Sequence, residues 1–307
     1  MIERRVEKDT PRKRREFLRY STAALLGTHL LPHEAFAQSP SHPSLSESLA
    51  RIEQSSGGRI GVALLDCVTG QVHGLNLDAR FPMCSTFKVL AVAATLSRID
   101  AGTEQLQRSV PITESDILKY APVTSQHVGS AGMTVAQLCA AAIQLSDNTA
   151  ANLLLRPLGG PEAVTRFARS IGDRHTRLDR TEPTLNEATP GDPRDTTTPR
   201  AMAQDLNALL LGSRLEPASR ALLKEWMVSC QTGLKKIRSA VPAGYTVGDK
   251  TGSGDHNTSN DIAVIWPPDR APWILTTYLT DLKSDSADEQ AALIATTART
   301  CMSLITG

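Results

Sequence analysis

The sequence predicts an α+β fold: an antiparallel sheet built from both chain ends and flanked by helices, with an inserted all-helical lobe. Two observations carry this. Strand-patterned runs occur early, at 59–66 and 71–77, and again late, at 245–249, 262–266 and 273–280. Between about 85 and 231 the spacing is mostly helical. Strands and helices segregated in this way form an α+β arrangement, and a cleft between two lobes is a natural ligand site. The expected division is 38–84 with 232–307 as an α/β lobe, and 85–231 as the helical lobe.

The elements follow in order. Residues 44–56 (SLSESLARIEQSS) read as a helix stopped by Gly57-Gly58. Residues 59–66 (RIGVALLD) are β-rich, Val68-Thr69-Gly70 is a turn, and 71–77 is the return strand. An Ala/Leu/Val run from Val89 to Leu96 has helical spacing. Residues 133–145 are Ala/Leu-rich and helical, and 148–155 is a shorter helix ending before Gly159-Gly160. Pro161 suits the first position of the next helix, through Ile171. Helices are expected at 197–211 and 217–232, and a closing amphipathic helix at 287–305. Residues 178–196 differ: they are charged and broken at Pro183, Pro190, Gly191 and Pro193, the mark of a long functional loop.

Composition fits a soluble globular protein of one large or two modest domains: 307 residues, 40% hydrophobic and 21% charged. The first 37 residues hold eight Lys/Arg against five Asp/Glu, which leaves 25 against 27 in the rest. No basic face remains to recruit nucleic acid.

The N-terminus, 1–37, reads as an export signal. A basic cluster (Lys13-Arg14-Arg15) precedes an apolar segment from Ala23 to Leu31, and Ala35-Phe36-Ala37 is a small-x-small cleavage pattern. Arg14-Arg15 with Phe17-Leu18 resembles a twin-arginine signal; a Sec signal with a basic start is the alternative. The apolar segment is too short to span a membrane. A soluble, periplasmic, monomeric mature protein starting near Gln38 is expected, without stable membrane association. The five cysteines (Cys67, Cys84, Cys139, Cys230, Cys301) are an odd number without Cys-x-x-Cys spacing, so they read as buried thiols.

Ser85-Thr86-Phe87-Lys88 sits where the first helical run begins. Residues three apart share a helix face, which brings the Lys88 amine to the Ser85 hydroxyl. A serine becomes a nucleophile when a neighbour takes its proton, and a lysine does this once its surroundings lower its pKa. Alone, the pattern arises by chance about once in a chain of this length. Three further motifs follow in order. Ser146-Asp147-Asn148 lies between two helices, Glu182-Pro183-Thr184-Leu185-Asn186 in the long loop, and Lys250-Thr251-Gly252 at the strand region.

Taken together, these motifs resemble the class A serine β-lactamases, whose signature is Ser-x-x-Lys, Ser-Asp-Asn and Lys-Thr-Gly. The resemblance runs over 38–307. It includes Leu178-Asp179-Arg180 leading to Glu182, and Asp195-Thr196-Thr197 closing the loop. It implies hydrolysis of a small-molecule β-lactam, conferring antibiotic resistance, without cofactor or metal. It assigns catalysis to Ser85, Lys88, Ser146 and Glu182, and the oxyanion donors to the N–H groups of Ser85 and Ser253. Substrate binding falls to Tyr120, Asn148, Asn186, Lys250, Thr251, Gly252 and Ser253. It also implies an Arg180–Asp195 pair across the loop neck and a cis Glu182–Pro183 peptide. The acylation base stays open between Lys88 and Glu182 acting through water.

The chain departs from the family in three places. Cys139 matches one partner of a disulfide found in some members, but Val92 stands at the other position. Cys84 matches a position bridged in certain carbapenem-hydrolysing members, whose partner is here Gly254. Residues 255–261 (DHNTSND) lack the arginine that many members place there, which leaves Lys236 or Arg238 as the second cation. Rival readings are a D-Ala-D-Ala peptidase and a non-hydrolytic β-lactam sensor. Glu182, a base for deacylation, argues against both. A metal-dependent lactamase is disfavoured because His42, His73, His127, His175 and His256 are scattered.

Overall fold

A computed structural model describes residues 43–306. The export signal expected at 1–37 lies outside the described residues. Helix α1 (Leu45–Ser56) is closed at its start by a reciprocal Ser44–Glu47 capping box and at its end by Gly57 in the left-handed region. Strands β1 (Arg59–Asp66) and β2 (Val72–Leu75) form a hairpin. The short strand β3 (Phe81–Pro82) leads into a 3-10 turn, Cys84–Phe87, that runs directly into α2 (Lys88–Asp100). Two short strands follow, β4 (Ser109–Val110) and β5 (Met133–Thr134), then α3 (Val135–Gln144), α4 (Asn148–Leu158) and α5 (Pro161–Ile171). Beyond the long loop come β6 (Thr196–Thr197), α6 (Pro199–Leu210) and α7 (Pro217–Val228). Strands β7 (Thr246–Gly254), β8 (Thr258–Trp266) and β9 (Trp273–Thr280) precede the closing helix α8 (Ala287–Thr306).

The main sheet has the order β2-β1-β9-β8-β7, with every neighbouring pair antiparallel. It is therefore assembled from both chain ends, as the sequence predicts. The pleat sends alternate residues to opposite faces. Val62 and Leu64 join a core with Leu49, Ile294, Ala298 and Ile305 of α1 and α8. Ala63 and Leu65 join the larger core around α2, where Lys88 to Leu96 are buried throughout.

Three expectations shift at their edges. Residues 133–134 are strand, because Thr134 caps α3 and forms a capping box with Gln137. Residues 197–198 precede α6, whose N-cap is Thr198 with Pro199 at the first turn. The last strands are longer than expected: β7 runs on through Lys250-Thr251-Gly252-Ser253, and β8 begins at Thr258 rather than Ile262. Polar residues survive there because the sheet ladder satisfies their backbone and neighbouring turns cover their side chains.

Candidate active site

Ser85 lies in the 3-10 turn before α2, and Lys88 is the first residue of α2. The Lys88 amine is fully buried and lies 2.9 Å from Ser85 Oγ, 2.8 Å from Ser146 O, 2.6 Å from Asn148 Oδ1 and 3.0 Å from Glu182 Oε1. Burial pulls its pKa down, and the nearby Glu182 carboxylate opposes this in part. The amine is thus shifted toward the neutral form that accepts a proton.

Glu182 arrives from the long loop and is almost fully buried. Its Oε1 accepts the Ser85 hydroxyl at 3.2 Å, and its Oε2 accepts Asn186 Nδ2 at 2.5 Å. The backbone of Glu182 is clamped by Asn152 of α4, which donates to its carbonyl at 2.9 Å and accepts its N–H at 3.0 Å. The Glu182–Pro183 peptide is cis. The loop neck is closed by Arg180 Nε on Asp195 Oδ2 at 2.6 Å. Asp195 Oδ1 also accepts the N–H groups of Asp179 and Arg180, and Asp179 Oδ2 accepts the N–H of Asp195. Both expectations for this loop therefore appear in the geometry.

Ser146 sits between α3 and α4 with a positive φ of 58°. Asp147, the N-cap of α4, holds the opposite wall by accepting the N–H groups of Val123 and Thr124. Lys250 of β7 donates to Ser146 Oγ at 2.9 Å and closes the chain from Lys88 through Ser146. Gly252 has a packing reason: a Cβ there would lie 2.7 Å from Met83 O and 3.2 Å from Ser85 N. The resulting cleft has a volume of about 350 Å³. Tyr120, exposed at its mouth, forms one wall, and Asn148, Asn186, Thr251 and Ser253 also line it.

The structure separates the two remaining cations. Arg238 turns away onto Asp249, with Nε 2.9 Å from Oδ1. Lys236 lines the cleft, its Nζ donating to Ser259 Oγ and Asn260 O, each at 3.0 Å. Burial of Lys250, then the charge of Lys88, hold the Lys250 pKa down to about 7. Its positive charge is therefore present below that pH and lost above it. We expect kcat/KM for a carboxylate-bearing substrate to decline as pH rises through about 7. The decline should vanish in Lys250→Arg, since arginine stays charged; pH–rate profiles of the two proteins check this.

All five thiols are free, and Cys84 and Cys139 are buried. Among the described residues, no group of three His, Cys, Asp or Glu side chains is arranged to hold a metal ion. Asn152 supports the site without belonging to any motif that the sequence reading used, and Asn260 supports it from the polar run 255–261, where the sequence assigned it no role.

A model of the β-lactamase enzyme family matches residues 44–305. The chain is 52% identical over 251 residues to β-lactamase CTX-M-8 of Citrobacter amalonaticus, a match covering 82% of this chain and 86% of that protein. It is 50% identical over 256 residues to β-lactamase Toho-1 of Escherichia coli, covering 83% and 87%. This chain is a class A β-lactamase. Among solved structures, an ancestral class A β-lactamase (GNCA) is 59% identical, with a TM-score of 0.83 over 85% of this chain and all of that one. The fold and the motif order of the family are thus present together over almost the whole described chain.

Proposed function

We propose that this protein hydrolyses the β-lactam ring of penicillins and cephalosporins through an acyl ester on Ser85, and so confers β-lactam resistance. One observation carries the reading: Ser85 Oγ lies between the Lys88 amine at 2.9 Å and the Glu182 carboxylate at 3.2 Å. Each group is an acceptor in reach of the serine proton. The substrate carboxylate lies against Lys250, Thr251 and Ser253, with Lys236 as the second cation. The lactam oxygen enters the donors of Ser85 N–H and Ser253 N–H, which stabilise the developing oxyanion. Ser146, linked to Lys88 and Lys250, relays the proton to the leaving ring nitrogen. Glu182 and Asn186 then hold a water against the ester, and Glu182 takes its proton.

The mixed neighbourhood of Glu182 favours turnover over mere capture. A sensor or a peptidase needs only the acylating half of this site, whereas the buried loop carboxylate supplies the base that the second half requires. The cleft is read as lying between the lobes 85–231 and 38–84 with 232–307. Export to the periplasm rests on the N-terminal signal, by the twin-arginine route if Arg14-Arg15 is read as such. Among the described residues no helix is long and apolar enough to cross a membrane, and a monomer without nucleic-acid partner fits the near-neutral charge.

A chromogenic cephalosporin tests this reading. Turnover should be unchanged by EDTA and abolished in Ser85→Ala; loss of turnover with EDTA, or none at all, would sink the serine-hydrolase account. The assignment of Lys236 has its own check. Lys236→Met should raise KM for a penicillin at least about tenfold, the scale of one charge-assisted hydrogen bond, with a smaller change in kcat.

A further inference from the structure

The turn that carries the nucleophile lacks a local cap. Met83, at the N-cap of the Cys84–Phe87 turn, makes no side-chain capping bond, and Cys84 is held at a positive φ of 45°. Non-glycine residues adopt that conformation at a cost and need their surroundings to impose it. The surroundings here come from the far end of the chain. Asn260, near the start of β8 and fully buried, donates its Nδ2 to Pro82 O at 2.9 Å and to Met83 O at 3.1 Å. Its Oδ1 accepts Leu279 N–H at 3.3 Å, which fixes which way the amide faces. The reverse orientation would set an oxygen against two carbonyls.

Asn260 is also the register partner of Gly252 on β7, whose backbone lies against Met83 O and Ser85 N. One buried amide therefore sets the spacing between the two backbone segments that present Ser85 N–H and Ser253 N–H. The backbone carbonyl of Asn260 also accepts Lys236 Nζ at 3.0 Å. We propose that Asn260 is a positioning residue for the oxyanion donors: by tying the Pro82–Met83 carbonyls to β8, it holds Ser85 N–H at the distance from Ser253 N–H that a tetrahedral oxyanion requires. This rests on the acyl-enzyme reading above. Asn260 touches no reacting atom and acts through the backbone.

The test uses the full enzyme and the variants Asn260→Asp and Asn260→Ser. The aspartate keeps the size and the acceptor for Leu279 N–H, but turns an oxygen toward two carbonyls; the serine retains one donor. Removing an oxyanion donor outright costs about 10²–10³ in kcat, so a displaced donor should cost at least about tenfold. The acylation rate on penicillin should fall by that factor in Asn260→Asp, and less in Asn260→Ser. Affinity for a boronic acid that forms a tetrahedral adduct on Ser85 should fall in parallel, with substrate KM nearly unchanged.

Thr86→Val supplies a second route, because Thr86 Oγ1 donates to the same Met83 carbonyl at 2.8 Å; it should show the same split in smaller measure. A lowered melting temperature with wild-type acylation and boronate affinity would overturn the proposal, as would a wild-type profile in Thr86→Val should both Asn260 variants fail to fold. Absence of any penicilloyl adduct in the wild-type enzyme would instead refute the acyl-enzyme reading itself.

Discussion

Replacing Glu182 with glutamine yields an enzyme that captures penicillin and then holds it. The glutamine preserves the shape of the side chain and leaves Lys88 beside Ser85 Oγ at 2.9 Å, so one proton acceptor for acylation remains. What disappears is a base for the incoming water. A positioned general base contributes about 10²–10⁴-fold, and deacylation should slow by that factor. Acylation should change much less if Lys88 is the main acceptor, and fall in step if Glu182 carries both halves. Single-turnover kinetics therefore also settle which group takes the serine proton. Rapid steady-state turnover by Glu182→Gln would remove Glu182 from its role.

The second large effect is expected at the neck of the loop. Asp195 is 1% exposed and accepts Arg180 Nε together with the N–H groups of Asp179 and Arg180. It also occupies a positive φ of 56°, which alanine tolerates poorly. Asp195→Ala strips those acceptors and leaves Arg180 with Glu187 as its remaining carboxylate partner. Breaking a buried pair by removing one partner costs about 3–5 kcal/mol, and chemical denaturation should read a loss of that order. The loop that delivers Glu182 is anchored at this neck. Deacylation should therefore suffer more than acylation, since Ser85 and Lys88 sit on a separate element. Equal losses in both steps would mean that the neck supports the whole cleft rather than the loop.

The parts of this molecule that were legible in the sequence are those where chemistry and local structure coincide. Ser85 and Lys88 share a turn, Ser146 and Asn148 flank the N-cap of a helix, and Glu182 and Asn186 lie in one short loop turn. In each case nearby residues encode the geometry. The sheet was legible too, because β-rich runs at both ends leave few ways to pair. The run from Asp255 to Asp261 was not. Its polar composition suggests a loop, yet Thr258 to Asp261 are buried strand, and Thr258, Ser259 and Asn260 bond to partners that no local pattern records.

Asn260 reaches a turn 177 residues away, and Asn152 meets Glu182 across 30 residues. Neither has a local signature, because an asparagine that braces another segment looks like any polar residue. Lys236 and Arg238 are similarly indistinguishable by composition. A turn of 3-10 helix at Ile237–Ala240 sends one cation to the cleft and the other to Asp249.

The central claim is that Ser85 captures the lactam and Glu182 releases it. Its most direct test is rapid-quench mass spectrometry of the intact protein with penicillin, followed by peptide mapping. The expected result is one penicilloyl adduct, mapped to Ser85, that decays in the wild-type enzyme at the turnover rate and persists in Glu182→Gln. No adduct, an adduct on another residue, or equally fast decay in both proteins would contradict the account.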